Sequence, residues 1–322
     1  MLDPNRRLFA MEIILAPSNL GLRPLAPGHE PGTWRAPAVL MAQGLEAAVG
    51  ARTCVALPRP AYTPMAQPGT RLYNGVTMRA FNLELAARVA DSHARGVFPL
   101  VIGGDCSVLL GALTGARSAG GVSLVHVDGH SDFRHPGNYD PAQTLGAVAG
   151  MDLALATGRG EALMTQWPGV TAPLVAEEYV VQLGERENRD ADFAWPDVND
   201  TAITRIDVFE ANAAGAAVVA ERINAVLDRR APRRFWLHLD VDVLDQALMP
   251  AVDSPGSPGI APDALLAILR TLLDGGGCCG MTVTVFDPDK DPDGACTALL
   301  VALLGQLFAP APVSGRVADM LV

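Results

Sequence analysis

The sequence lacks the features that define several classes of protein. It has no apolar run of about 20 residues, the length that a membrane-spanning helix requires. It has no excess of positive charge, because 35 acidic residues outnumber 24 basic ones and give a formal net charge of −11. This balance argues against a nucleic-acid partner, which prefers a basic face, and leaves a small cationic or neutral ligand open.

Cysteine is also scarce. The five cysteines are an odd number without a framework spacing, so they predict no disulfide scaffold and favour a reducing compartment. The first residues lead into a short apolar run that Glu12 interrupts, which is unlike a signal peptide. We therefore expect a cytoplasmic protein that acts on a small molecule and has neither a nucleic-acid nor a membrane partner.

The order of apolar and helical segments predicts an α/β fold. Unbroken apolar runs, such as 98–102, 122–127 and 235–239, alternate with helical patterns, including single helices expected over 35–49 and 211–229. This alternation is typical of a parallel sheet covered by helices on both faces. No linker or composition break appears, so we expect one domain over residues 1–322.

Polar clusters follow three of these apolar runs. In an extended segment, side chains two residues apart share a face, so each cluster is expected to present its side chains together. The carboxyl ends of parallel strands meet at one edge of the sheet, where ligands bind. Carboxylates suit Mn²⁺, and imidazole widens the choice to Zn²⁺, Ni²⁺ or Fe²⁺. The sequence thus predicts a metal site built from Gly103-Gly-Asp-Cys-Ser107, Asp128-Gly-His-Ser-Asp132 and Asp240-Val-Asp-Val-Leu-Asp245.

These three blocks resemble the signature blocks of the ureohydrolases, the family of arginase, agmatinase and formiminoglutamase. The resemblance implies a three-layer α/β/α sandwich around a mostly parallel sheet. It also implies hydrolysis of a guanidine or amidine C–N bond by a hydroxide that bridges two Mn²⁺ ions, and it suggests a homo-oligomer. Carried over by position, the implied metal ligands are Cys106, Asp128, His130, Asp132, Asp240 and Asp242.

Three positions depart from the family pattern. Cys106 replaces the usual His, and a soft thiolate would shift metal preference towards Zn²⁺ or leave one ion weakly bound or absent. Ala149 stands where arginases have a His linked to proton transfer, and Val285 stands where a Glu would pair with the guanidinium, although Asp287 could replace it. These departures argue against standard arginase activity and favour a substrate without a full cation, such as an N-hydroxyguanidine, an amidine or an amide. We therefore expect hydrolysis of a C–N bond in a guanidino, N-hydroxyguanidino or amidino compound.

Three residues are candidates for catalytic roles. Asp132 is expected to orient the hydroxide. His126 and His238 each lie two residues before an Asp, so each is expected either to hold a ligand by hydrogen bonding or to take over a missing function, with His238 the better candidate. His135, in the loop after the second block, is a candidate general acid.

Two alternatives stay open from the sequence. One is a mononuclear zinc deacylase of the histone deacetylase type, which shares the general fold and a related Asp-x-His pattern. The other is a catalytically weakened protein that binds metal or ligand, because the substitutions at 106, 149 and 285 all affect the expected site. Metal content and a hydrolysis screen separate the three readings.

Overall fold

The computed structural model describes residues 10–171, 173–190 and 195–310, and part of the N-terminal segment considered above lies outside them. The described residues form one sheet of eight strands. The strands are β1 (Met11–Ala16), β2 (Thr53–Ala56), β3 (Phe98–Gly103), β4 (Ser123–Val127), β5 (Val180–Leu183), β6 (Thr204–Ile206), β7 (Phe235–Asp240) and β8 (Cys278–Thr284).

Every neighbouring pair in this sheet is parallel, in the order β2-β1-β3-β8-β7-β4-β5-β6. Strands β3, β4, β7 and β8 are almost wholly buried, as their unbroken apolar sequences predict. The predicted α/β class is confirmed, while the description of the chain as one domain stays a prediction.

Helices cover both faces of the sheet. Successive strand residues point to opposite faces, so Ile13 packs into one core and Ile14 into the other. Helices α1, α2 and α8–α10 contribute to the first core, and α3–α5 contribute to the second. The helices of the described residues are α1 (Ala36–Ala42), α2 (Leu45–Val49), α3 (Gly75–Ala94), α4 (Val108–Arg117), α5 (Asp152–Ala156), α6 (Ala162–Thr165), α7 (Val208–Ala214), α8 (Ala216–Leu227), α9 (Pro262–Asp274) and α10 (Ala295–Phe308).

Two predicted helices are each divided in the structure. The helix expected over 35–49 is interrupted at Gly44, which has a φ of 90°, and the helix expected over 211–229 is interrupted at Gly215, with a φ of 80°. Glycine adopts these left-handed conformations without steric cost, so each glycine ends one helix and starts the next. The predictions of one continuous helix over each of these two ranges were wrong.

The sheet order brings together the strand ends that carry the polar clusters. Strand β7 lies between β8 and β4, and β8 lies between β3 and β7. The carboxyl ends of β3, β8, β7 and β4 therefore form one continuous edge, where a ligand site is expected in a parallel sheet. Among the described residues, no helix has both the length and the apolar character needed to cross a membrane.

Candidate active site

A cavity of about 330 Å³ opens at this edge of the sheet. Its floor includes His130 and Asp132 from the loop after β4, Asp240 at the end of β7, and Asp242 in the turn after β7. The predicted residues that follow separate strands thus meet at one cavity. This convergence depends on the sheet order, because β4 and β7 are neighbours although about a hundred residues of sequence separate them.

Asp128, His130 and Asp242 form a compact group beside the cavity. The His130 Nδ1 atom lies 2.9 Å from Asp242 Oδ2 and 3.5 Å from Asp128 Oδ1. The Gly129 backbone N–H donates to Asp242 Oδ1 at 2.9 Å, so the loop after β4 holds the loop after β7. One ligand atom from each of the three side chains lies within 4.8 Å of the others, a spacing that one metal ion could bridge.

Cys106 forms a second group with Asp128 and Asp240. Its thiol donates to Asp240 Oδ2 at 2.9 Å and lies 3.2 Å from Thr284 Oγ1 at the end of β8. Burial, and then the charge of Asp240, raise the pKa of this thiol well above its ordinary value in the metal-free site. Because Asp128 belongs to both groups, the two potential ion positions are adjacent and share one carboxylate.

Asp132 lies on the cavity side of these groups. Its backbone has a φ of 47°, an uncommon left-handed conformation for a residue other than glycine, and such strain is concentrated at functional sites. Burial, together with the nearby Asp128, raises the pKa of its carboxyl well above the ordinary value. Only 7% of the Asp132 surface is exposed. Because the residue lines the cavity, it can contact a small molecule that binds there.

Five buried carboxylates surround the site, and the cationic partners that contact them are the histidines His126 and His130 alone among the described residues. Among the described residues, no Lys or Arg forms an ion pair with Asp128, Asp132, Asp152, Asp240 or Asp242. Buried charges are normally paired or bind metals, because removing an isolated carboxylate from water is costly. The donor set therefore fits divalent cations, which would supply the missing positive charge.

The local backbone differs from the predicted extended geometry. Strand β4 ends at Val127, before Asp128, and β7 ends at Asp240, after which a 3-10 turn spans Val241–Val243. The backbone N–H of Asp242 donates to Asp240 Oδ1 at 2.8 Å within this turn. The expectation that strand alternation aligns these side chains was wrong, because tight turns rather than the pleat direct them into the cavity.

A second polar layer lies below the cavity. His126 and His238 are partners in the β4–β7 register, and their rings stack with centroids 4.9 Å apart. His126 Nε2 lies 3.2 Å from Asp152 Oδ1, and His238 Nδ1 lies 2.8 Å from Thr282 Oγ1. All four side chains are fully buried. Hydrogen bonding of His126 to a carboxylate was expected, but the carboxylate is Asp152 of α5, which the sequence interpretation did not identify.

The two histidines predicted to act in catalysis do not line the cavity. His238 has no exposed surface, so it cannot touch a substrate, and burial followed by the charge of His126 lowers its pKa well below the ordinary value. His135 has both ring nitrogens engaged, since Nδ1 accepts from the Gly137 N–H and Nε2 lies 2.6 Å from Asp197. The geometry lends no support to a general-acid role for His135, and both roles stay predictions.

Two of the three departures from the family pattern, at positions 149 and 285, lie in the cavity wall. Ala149 and Val285 both line the cavity, whereas Asp287 does not and instead accepts from the Asp289 N–H. Two other acidic side chains, Glu187 and Asp253, do line it. Burial raises the pKa of both carboxyls. Sequence reasoning missed these two, because Glu187 lies within a run of charged loop residues and Asp253 is a single acid in a loop, so neither belongs to a recognisable pattern.

Two arginines supply positive charge to the cavity wall. Arg23, from the long loop after β1, and Arg134 both line the cavity, and the Arg134 guanidinium lies 4.1 Å from the centre of the Tyr139 ring. By contrast, the side-chain amides of Asn19 and Asn138 donate hydrogen bonds to the Pro31 and Phe133 carbonyls, and neither residue lines the cavity.

Asp105 and Asp245, which belong to the first and third polar blocks, have structural roles. Asp105 accepts hydrogen bonds from Ser18, Gly21 and Ser107, and so attaches the loop after β1 to the site. Asp245 accepts from the backbone of Ala247 and Gly259 and closes the turn after β7.

Comparison with known proteins agrees with this site. A model of the arginase family matches residues 29–309. The arginase of Bacillus caldovelox is 29% identical over 243 residues, which are 75% of this chain and 79% of that protein. Its solved structure matches with a TM-score of 0.79 at 25% identity, covering 93% of this chain and 98% of the other. The proclavaminate amidinohydrolase of Streptomyces clavuligerus is 26% identical over 206 residues, 62% of this chain and 59% of that protein.

The fold and the cavity define a metal-binding hydrolase that acts on carbon–nitrogen bonds other than peptide bonds. The chain belongs to the arginase family. Family membership confirms the resemblance seen in the three polar blocks, and it does not favour the deacylase or the weakened binding protein.

Proposed function

We propose that this protein hydrolyses a C–N bond of a guanidino, N-hydroxyguanidino or amidino compound with the aid of divalent cations, and that it is not a standard arginase. The observation that carries the proposal is the group of buried carboxylates at the cavity floor, which has no Lys or Arg partner among the described residues. In its ionised form such a group is costly to bury, and divalent cations would offset that cost.

Two adjacent ion positions are proposed. Asp128, His130 and Asp242 would hold one ion, and Cys106, Asp128 and Asp240, with Asp132 beside them, would hold the other. When bound, a pair of divalent ions lowers the pKa of water and so provides a nucleophile near neutral pH. Mn²⁺ is the first candidate, and the Cys106 thiolate favours Zn²⁺, Ni²⁺ or Fe²⁺ at the second position, which Mn²⁺ would occupy weakly or not at all.

The side chains of the cavity suggest how a substrate is oriented. Glu187 and Asp253 can accept hydrogen bonds from the N–H groups of a guanidine or amidine. Arg23 and Arg134 can bind a carboxylate at the other end of the same molecule. Asp132, which lines the same cavity, would accept a proton from the attacking water.

The substitutions in the wall narrow the substrate class. Ala149 removes the imidazole, and Val285 removes the carboxylate, that the resemblance leads one to expect beside the substrate. Without that carboxylate a full guanidinium loses one partner, so a less basic N-hydroxyguanidine or amidine fits better. We also propose a cytoplasmic location and leave a homo-oligomer as the expectation that the resemblance gives.

A panel of substrates tests this proposal. The metal-free protein would be loaded separately with Mn²⁺, Zn²⁺, Ni²⁺ and Fe²⁺ and assayed for urea, hydroxyurea or ammonia released from guanidino, N-hydroxyguanidino and amidino acids. We expect hydrolysis of at least one compound, with L-arginine a poor substrate. The Asp132→Asn variant should lose on the order of 10³-fold in kcat, since it removes the proton acceptor. Hydrolysis restricted to acetylated amines, or none in any metal form, would contradict the proposal.

A further inference from the structure

The strongest unassigned feature is the deep cluster of Cys106, His126, Asp152 and His238, which lies below the cavity floor. All four side chains have no exposed surface, and none of them lines the cavity. The cluster joins four separate elements, since Cys106 follows β3, His126 belongs to β4, Asp152 starts α5 and His238 belongs to β7. A carboxylate in such a dry place requires a positive partner.

Three atoms of this cluster are buried without any hydrogen-bond partner among the described residues. They are His126 Nδ1, Asp152 Oδ2 and His238 Nε2, and the last two face each other at 3.6 Å. The contact between His126 and Asp152 Oδ1 satisfies the other carboxylate oxygen only. Leaving a buried polar atom unpaired costs about 1–3 kcal/mol, and more for a charged group. Two such atoms that face each other indicate a missing third partner.

The spacing of these atoms suits a tetrahedral metal ion. One ligand atom each from Cys106, Asp152 and His238 lies within 4.8 Å of the other two. In a tetrahedral zinc site with bonds of about 2.0–2.3 Å, neighbouring ligand atoms lie roughly 3.3–3.7 Å apart. The 3.6 Å between Asp152 Oδ2 and His238 Nε2 already matches that edge.

The surroundings of His238 prepare its Nε2 atom for coordination. A neutral imidazole that binds metal through Nε2 carries its proton on Nδ1, and this proton usually has a fixed acceptor. Thr282 Oγ1 lies 2.8 Å from Nδ1, and it also accepts a bond from Trp236 Nε1 at 3.3 Å. A hydroxyl oxygen has two lone pairs, so it can accept both bonds.

We propose that Cys106, Asp152 and His238 bind a thiophilic divalent ion, Zn²⁺ in the first instance, one layer below the cavity. Asp128, whose Oδ2 atom is also buried and unpartnered, is available as a fourth ligand because it lies within the same range of His238. The inference rests on the proposed function in one respect, because it concerns the second of the two proposed ions. In the deep site this ion is bound by Asp152 and His238 together with Cys106, in place of Asp240. The deep site gives that ion one sulfur and one imidazole ligand.

X-ray absorption at the zinc edge tests this coordination in the full chain. The His130→Asn variant is the sharpest sample, because it removes the imidazole of the outer group and leaves those of the deep cluster. After chelation and loading with one equivalent of Zn²⁺, we expect a sulfur at about 2.3 Å and an imidazole on the same ion. Sulfur with oxygen ligands alone, or oxygen alone, would overturn the inference.

Cobalt substitution provides a second, independent reading. Co²⁺ bound to a thiolate has a near-ultraviolet charge-transfer absorption, which we expect in the wild type and in His130→Asn. The Asp152→Asn and His238→Gln variants should each bind Co²⁺ roughly 100-fold more weakly at this site. The loss should be at least as large as the loss that follows removal of a side chain that only hydrogen-bonds to a metal ligand. An unchanged absorption titration in both variants, with native circular dichroism, would refute the assignment of Asp152 and His238.

The two proposals fail in different ways. A sulfur–imidazole signature in a protein that hydrolyses none of the guanidino or amidino compounds refutes the proposed function and keeps the deep site. Hydrolysis without that signature refutes the deep site and keeps the function.

Discussion

Removal of metal should reverse the pH dependence of stability. In the metal-free protein, burial raises the pKa of Asp132 and Asp240 well above the ordinary value and that of Asp152 to about 6. The folded state therefore holds protons on these carboxyls that the unfolded chain has already released. Stability from such groups is complete below the unfolded pKa, near 4, and is lost as pH rises through the folded pKa.

The size of this effect follows from the Asp152 carboxyl. Its pKa of about 6 lies about two pH units above the ordinary 3.8. Each unit corresponds to about 1.4 kcal/mol, so this group alone contributes on the order of 3 kcal/mol. For a chain of this length that corresponds to roughly 4 °C in Tm. His238 acts in the opposite direction, because burial lowers its pKa, but the raised carboxyls outnumber it.

Thermal unfolding of chelated and metal-loaded protein between about pH 4.5 and pH 7.5 measures this reversal. We expect the metal-free protein to be less stable at the higher pH and the loaded protein to be more stable there, because ligands must lose their protons to bind metal. The Asp152→Asn variant should flatten the metal-free curve. A metal-free protein whose stability rises over this range would refute the reasoning, since the carboxylates would then have other cationic partners.

Three further predictions concern single residues. Cys106→His should raise the Mn²⁺ content of the purified protein, because imidazole binds Mn²⁺ better than a buried thiol does; unchanged stoichiometry in metal analysis would count against a weak second site. Gly104→Ala should lower the free energy of unfolding in urea by about 3 kcal/mol or more, because its Cβ would lie 1.5 Å from the Ser18 carbonyl oxygen. Gly150→Ala is the control, because a Cβ at that position meets no atom within 4 Å. Arg134→Ala should raise KM for a carboxylate-bearing substrate about tenfold with little change in kcat, and an equal fall in kcat would place its role elsewhere.

The sheet could be predicted because its strands are buried on both faces. Segments such as Phe98–Gly103 and Phe235–Asp240 consist mostly of apolar residues, so their type and approximate bounds follow from the sequence. The short edge strand Thr204–Ile206 was missed, since three residues carry no detectable pattern. The division of a helix at Gly215 was also missed, because a glycine inside a helical pattern is compatible with either outcome.

The sequence predicts that the polar residues after the strands form one site. It does not predict the buried contacts of Asp152 with the two histidines below the cavity. Asp128 and Asp240 follow apolar runs, and parallel strand ends share an edge. Asp152 begins a short apolar helix, and nothing in its local sequence distinguishes a buried carboxylate from a solvated helix start. Its meeting with His126 and His238 depends on how α5 packs on the sheet, which is a tertiary property.

The central claim is that the buried carboxylates at the cavity floor bind divalent cations on which C–N hydrolysis depends. The most direct measurement is a titration of chelated protein with Mn²⁺ or Zn²⁺, following bound metal and hydrolysis of the best guanidino or amidino substrate in the same samples. We predict no hydrolysis without metal and activity that rises in proportion to bound ion until the sites are filled. Full hydrolysis by protein shown to hold no metal would contradict the account.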